Sequence, residues 1–329
     1  MACALSADTP IIAEGTTRDN ARDGSFDEWL CIMNPGSRMA TATISYMTGG
    51  APVVVKATVP PLGRITRDVA ADAGRDKDVS ISVASDLPVV AERPEYFDYH
   101  NQWAGGDTSV GTMDTARDFY FAEGFTYQWA REWVCIANPG KTDAHVQVVY
   151  QASGGTTAQS AVVVGAGKRY TLDVASDIGL NKDVSVSLHS DAAIAAERSQ
   201  YFDYAPGWEG GAFGTGAPAP RKTFYFAEGT TRSNAVDGSF DEWISIQNPG
   251  SETASVKLTF VKPDGINIVQ MVTVTPGTRS TVSVNQVLGP DMDAALILTS
   301  SVPVLAERPM YFDYQGFAQS GDVTRGYGL

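Results

Sequence analysis

Cysteine and histidine are scarce here, three of each in 329 residues, and that scarcity excludes several classes of protein. Cys31 and Cys135 occupy one repeated position that Ser245 fills further on, and Cys3 lies outside the repeated pattern. A position that accepts Cys or Ser reads as a small packing site, so neither a disulfide framework nor a metal cluster is indicated. His100, His145 and His189 fall in a joint and in two different strand-like segments, leaving no metal set and no base for a serine or cysteine nucleophile. A Gly-x-Ser-x-Gly elbow is absent. Gly211, Gly214 and Gly216 do not follow a strand that enters a helix, which argues against a nucleotide loop. No cofactor is expected, and no enzyme.

Positive charge is also short. Lys and Arg number 24 against 38 Asp and Glu, a formal charge of −14 with a pI near 4.6. Nucleic acid and anionic membrane surfaces are repelled by such a mean field, and its ordinary meaning is solubility. No apolar run approaches the roughly 20 residues of a membrane helix, so membrane insertion is not expected. Residues 1–9, with small residues up to Ala7, read as the remnant of a secretory signal or as residues left from expression.

What is present is a globular composition, 43% apolar and 19% charged, over a length that suits two or three domains. Self-comparison decides between them. Ala13-Glu14-Gly15 returns as Ala122-Glu123-Gly124 and Ala227-Glu228-Gly229. Glu28-Trp29 returns as Glu132-Trp133 and Glu242-Trp243, and the Asn-Pro-Gly of Asn34 returns at Asn138 and Asn248. Each copy closes on Ala-Glu-Arg and Tyr-Phe-Asp-Tyr, with Arg93, Arg198 and Arg308 preceding Tyr96, Tyr201 and Tyr311. Three units are expected, at 10–115, 116–221 and 222–329, each ending in a Gly-rich joint or tail.

Within a unit the period is two. Val79, Ile81 and Val83 alternate with small or polar residues, as do Val184, Val186 and Leu188. Gly49-Gly50, Gly154-Gly155 and Asp264-Gly265 mark tight hairpins. Strands are predicted near 11–14, 28–33, 40–47, 52–59, 64–69, 78–84 and 89–99, with one helical turn near 70–74 and 284–289. The expected fold is all-β: three tandem seven-stranded antiparallel β-sandwich domains of immunoglobulin-like size. The joints carry Trp103 and Trp208, so they are expected to dock on a neighbour, giving a stiff rod or a closed body.

The Ala-Glu-Gly, Asn-Pro-Gly and Ala-Glu-Arg-Pro-x-Tyr-Phe pattern, seen at Ala13, Asn34 and Ala91, resembles β-sandwich repeats found in tandem in secreted or surface proteins of bacteria. The resemblance covers nearly the whole chain and implies an extracellular or cell-surface, non-catalytic role without naming a ligand. The second repeat departs from it, with Ser199 in place of proline and a shortened first loop.

Two groups of residues are candidates for function. Glu14, Arg64, Glu92, Arg93 and Asp98, shared by the repeats along with Glu28 and Asp78, read as an ion network that orients strands or locks one domain onto the next. The alternative reading is a multivalent sugar-binding surface with Trp29 or Tyr99 stacking on a ring; a glycosidase, with its paired carboxylates, comes third. The loop after Ala-Glu-Gly is the second group. It carries Arg18, Asp23 and Asp27 before Trp29, and Arg232, Asp237 and Asp241 before Trp243, whereas the second repeat lacks the equivalent Asp-Gly-Ser-Phe-Asp. These eight residues are the candidate binding set, with calcium on Asp23 and Asp27 a weak secondary reading. The expected role is that of a structural, adhesive or self-assembling module, building a filament or surface array, with the protein itself or other surface proteins as partners, and glycans under the alternative.

Overall fold

The computed structural model describes residues 9–113, 115–155, 157–205 and 207–329. Apart from residue 9, the segment 1–9 lies outside them, as does Cys3. The chain is all-β, built from several antiparallel sheets with three one-turn α-helices among the described residues. The segments carrying the three repeats each enclose a hydrophobic core of their own.

In the first repeat one sheet orders the strands Ile11–Ile12, Ser80–Ser85, Ala40–Met47 and Val53–Val59. The other contains Asp19–Asn20, Gly24–Asn34, Val90–Tyr99 and Trp103–Val110, with Gly63–Asp68 also paired to Gly24–Asn34. Alternation explains the packing between them: Val79, Ile81 and Val83 point inward beside Leu30, Ile32, Ile44 and Tyr46, all fully buried. In the second and third repeats the counterparts of Ser80–Ser85 and Val90–Tyr99 are continuous strands, Val184–Asp203 and Ala295–Tyr314. Their first halves pair in one sheet and their second halves in the other.

The seven strands predicted for the first repeat are all present within a few residues, but two more accompany them. Asp19–Asn20 forms a small hairpin. The Gly-rich joint, expected to be a connector, is a full strand: Trp103–Val110, Glu209–Thr215 and Ala318–Arg325 each pair along the Tyr-Phe-Asp-Tyr strand of their own repeat. The chain then returns to its start. Ile11 and Thr112 exchange both backbone hydrogen bonds at 2.8 Å, and Tyr120 and Ala217 do so at 2.9 Å. Tyr225 pairs with Tyr327 in the third copy.

The recurring motifs have local causes. Asn34 Oδ1 accepts from Gly36 N at 2.9 Å while its Nδ2 donates to the carbonyls of Arg38 and Val59, and Asn138 and Asn248 repeat the arrangement. Asn-Pro-Gly is thus a turn that a buried amide pins to the neighbouring hairpin. The helical turns Val69–Ala73, Val174–Ile178 and Val284–Leu288 begin at Asp68, Asp173 and Ser283, whose side chains accept from the backbone N–H three residues on. A Cβ on Gly15 would press on the buried Glu28 carboxylate, and on Gly124 and Gly229 it would meet the Glu132 and Glu242 carboxylates as well as the carbonyls of Val184 and Ala294 at 2.6 Å. The Gly of Ala-Glu-Gly and the Glu of Glu-Trp are therefore one feature.

Candidate functional site

The second half of each Tyr-Phe-Asp-Tyr strand runs on past the core of its own repeat. Alternate residues there serve two different neighbours. Arg93, Glu95, Phe97 and Tyr99 share one face of Val90–Tyr99 and turn toward the second repeat, while Glu92 and Tyr96 share the opposite face. One step along, Glu197 and Tyr201 turn back to the first repeat, and Phe202 and Tyr204 forward to the third.

At the junction of the first and second repeats, Arg93 Nη2 lies 2.6 Å from Glu14 Oε2 and a second nitrogen pairs with Glu95. Glu14 donates its backbone N–H to Glu197 Oε2 at 3.0 Å, and Arg169 Nη1 donates to the carbonyl of Gly15 at 3.0 Å. Tyr201 stacks on Tyr99 with centroids 4.2 Å apart, and Trp133 Nε1 donates to the Tyr99 hydroxyl at 3.3 Å. A Cβ on Gly211 would meet Phe97 Cζ at 2.6 Å. Phe213 lies 5.1 Å from the Arg93 guanidinium carbon, a cation–π contact.

The junction of the second and third repeats uses the same positions. Glu123 donates its backbone N–H to Glu307 Oε2 at 2.7 Å, which also accepts from Arg198 Nη1 at 2.7 Å. Arg279 Nη1 donates to the carbonyl of Gly124, and its Nη2 lies 3.0 Å from Glu123 Oε2. Tyr311 stacks on Tyr204, Trp243 Nε1 donates to the Tyr204 hydroxyl at 3.1 Å, and Gly321 faces Phe202. Ser245, in the Cys31 and Cys135 position, donates to Glu123.

Sealing these charges from water moves their titration. Burial pushes Glu197 up to about 7, against the pull of Arg93, and pushes Glu132 up to about 8, against Arg198. Glu242 is raised to about 8 for the same reason, with Arg308 opposing. Glu14, Glu28, Glu95 and Glu123 are all raised by burial as well. Neither carboxylate oxygen of Glu28 finds a protein hydrogen-bond donor, which leaves its charged form uncompensated.

Of the expected ion network, Glu14 and Arg93 are paired and buried. Arg64 and Glu92 are exposed, whereas their counterparts Arg169 and Glu197 are buried against the preceding repeat. Asp98 falls on the face of its strand opposite Arg93. In the first loop Arg18 holds Asp23 at 2.8 Å and Asp78 at 2.9 Å, and Arg232 holds Asp293 and, at 3.5 Å, Asp237. The second repeat puts Tyr127 in that place, its hydroxyl 3.1 Å from Asp183. Asp23 already accepts from Arg18 and Asn20, Asp27 projects outward from the strand Gly24–Asn34, and no group of three potential metal ligands converges among the described residues. Asp241 and Trp243 both bond to the Tyr204 hydroxyl, so they belong to the second junction. Trp29 is half-exposed.

Sequence reasoning passed over the Tyr99–Tyr201 and Tyr204–Tyr311 stacks and the role of the joint. The signal was available in the repeated Gly106, Gly211 and Gly321, each opposite the first tyrosine of Tyr-Phe-Asp-Tyr.

No family model matches this chain, and neither does any curated protein. Among solved structures it is similar to Thermotoga maritima 1070, at 21% identity over 33% of this chain and 96% of that one, with a TM-score of 0.30. It is similar to the Anabaena sensory rhodopsin transducer at 25% identity, covering 27% and 87% of the two chains with a TM-score of 0.24. A tetra-tandem repeat from the extending region of a large adhesion protein is similar over 98% of this chain and 74% of that one, at 14% identity and a TM-score of 0.15. TM-scores this low carry no property of those proteins over to this chain.

Proposed function

We propose that the chain is a non-catalytic secreted or cell-surface repeat protein, three tandem β-sandwich domains at 10–115, 116–221 and 222–329 acting as a structural or adhesive module. The observation that carries this reading is the use of one contact set at two successive junctions. Residues common to the repeats, which in an enzyme would be gathered once in a cleft, are spent on fixing each repeat to the next. Glycoside chemistry needs two carboxylates open to a substrate, whereas Glu14, Glu28 and Glu95 are sealed inside a junction. Charge-assisted hydrogen bonds and stacked rings repeated at each junction favour a fixed arrangement of the repeats, which suits a load-bearing or display role.

Small-angle scattering of dilute protein, combined with limited proteolysis, tests the reading. One rigid particle that resists cleavage between repeats is expected. Three repeats tumbling on flexible linkers would overturn it. Multivalent glycan binding is the second reading, favoured by half-exposed Trp29 near outward-facing Asp27; glycan-array binding lost in Trp29→Ala would move the assignment to it.

A further inference from the structure

The first and third repeats each expose one half of the contact set that the two internal junctions bury. On the first repeat, Arg64 and Glu92 are exposed where Arg169, Arg279, Glu197 and Glu307 are buried. Tyr96 is 60% exposed, while Tyr201 and Tyr311 are each 3% exposed. Met33 and Val90 are exposed, although Ala137, Gln247, Ala195 and Leu305 at the same positions are buried.

The third repeat shows the opposite half. Glu228 is 61% exposed, whereas Glu14 and Glu123 are buried. Ala227, Tyr225 and Tyr314 are exposed where Ala13, Ala122, Ile11, Tyr120 and Tyr99 are covered. Arg308, itself nearly buried, pairs with Glu228 beside an open groove of about 660 Å³ that Glu228, Gly229 and Phe240 help to line.

We propose that the first-repeat face of one copy docks on the third-repeat face of a second copy, head to tail, forming the internal junction once more between chains. The partner deepens the structural reading given above and rests on it. By correspondence with the internal junctions, Arg64 reaches the Gly229 carbonyl and Glu228, as Arg279 reaches Gly124 and Glu123. Glu92 accepts from the Glu228 N–H and from Arg308, as Glu307 does from Glu123 and Arg198. Tyr96 stacks on Tyr314, Trp29 donates to the Tyr314 hydroxyl, and Phe312 packs on Gly106, as in the junctions already formed. Opposite charges meet, and the exposed Tyr96 and Tyr314 each gain a flat partner. The contact is heterologous, so it propagates until geometry closes it.

The arrangement is tested on the full chain by light scattering over a concentration series. Wild-type mass is expected to rise above that of one chain, and Arg64→Glu or Glu228→Arg alone to weaken association about 100-fold or more. Arg64 is exposed and Arg64→Glu should fold, so that variant carries the test even where Glu228→Arg, which loses its pair with the nearly buried Arg308, is destabilised. An equimolar mixture of the two variants should associate again, because the two reversed side chains then face each other across the contact, while the remaining ends keep their native pair. A single-chain mass at every concentration, or association indifferent to both reversals, overturns the docking. Either result leaves the structural reading to its own test on dilute single copies.

Discussion

Tyr311 lies flat on Tyr204, ring centroids 3.9 Å apart and planes 2° from parallel. The Tyr204 hydroxyl at the same time accepts from Trp243 Nε1 and donates to Asp241 Oδ2. One side chain of the second repeat is thereby gripped by three of the third. Tyr204→Ala should destabilise the protein by about 2–3 kcal/mol, below the middle of the range for deleting a fully buried aromatic because Tyr204 is only partly buried. Tyr204→Phe, which keeps the stack and loses the hydroxyl, should cost about 1 kcal/mol. Urea unfolding of the two variants measures both.

The Arg198–Glu307 pair is buried on both sides, and Glu307 also caps the Glu123 N–H. Arg198→Ala leaves a carboxylate without its cation inside the junction, and a loss of about 3–5 kcal/mol is expected. A double variant, Arg198→Met with Glu307→Gln, should recover a good part of that loss. Equal unfolding midpoints for the single and double variants would contradict the pairing.

Stability should fall as pH rises from about 5 toward 8.5. Glu197 and Glu132, raised by burial to about 7 and about 8, hold protons in the folded state that the unfolded chain releases near its ordinary value of 4.5. Their contribution is complete below the unfolded value and is lost as pH climbs through the folded one. Asp72, Asp23 and Asp293 act in the opposite sense: partial burial is outweighed by hydrogen bonds from their arginine partners, which depress their titration, so their stabilisation is lost in strong acid. An optimum in mild acid follows. Glu132 faces Arg198, Glu123 and Gln200, and Glu132→Gln should flatten the alkaline side of a melting-temperature profile.

Gly211→Ala should cost about 1–3 kcal/mol, since its Cβ would meet Phe97 of the first repeat at 2.6 Å. Gly214→Ala, with nothing closer than 3.9 Å, should be nearly neutral. Thermal melts of this pair separate a close-approach glycine from a merely tolerated one.

Arg18→Ala and Arg232→Ala should change stability by less than about 1 kcal/mol each, because both guanidinium groups are about two-fifths exposed where they meet their aspartates. A larger effect, seen in urea titrations, would give the first loop a structural weight that its shortening in the second repeat argues against.

Much of this was legible before the fold. The repeat, the hairpins and the inward-facing Val79, Ile81 and Val83 follow from spacing and period alone. The junction partners were not, for a reason specific to repeats. Arg93 pairs with Glu14 of its own repeat while its counterpart Arg198 pairs with Glu307 of the next, and identical motifs cannot say which copy a contact crosses to. The joint was expected to dock on a neighbour through its tryptophan; that it is also a strand of its own repeat was not legible, and there Gly211 and Gly321 are small so that Phe97 and Phe202 can lie against it.

The pairing of Ile11 with Thr112, and of Tyr120 with Ala217, bears on how such a chain grows. Each copy begins and finishes at adjacent hydrogen-bonded positions, so recombination in the short crossing between copies can add or remove a whole unit without opening a sheet. Every inserted unit arrives already closed and carries one half of a junction on either side. Array length is therefore free to vary by whole copies while the mode of joining stays constant.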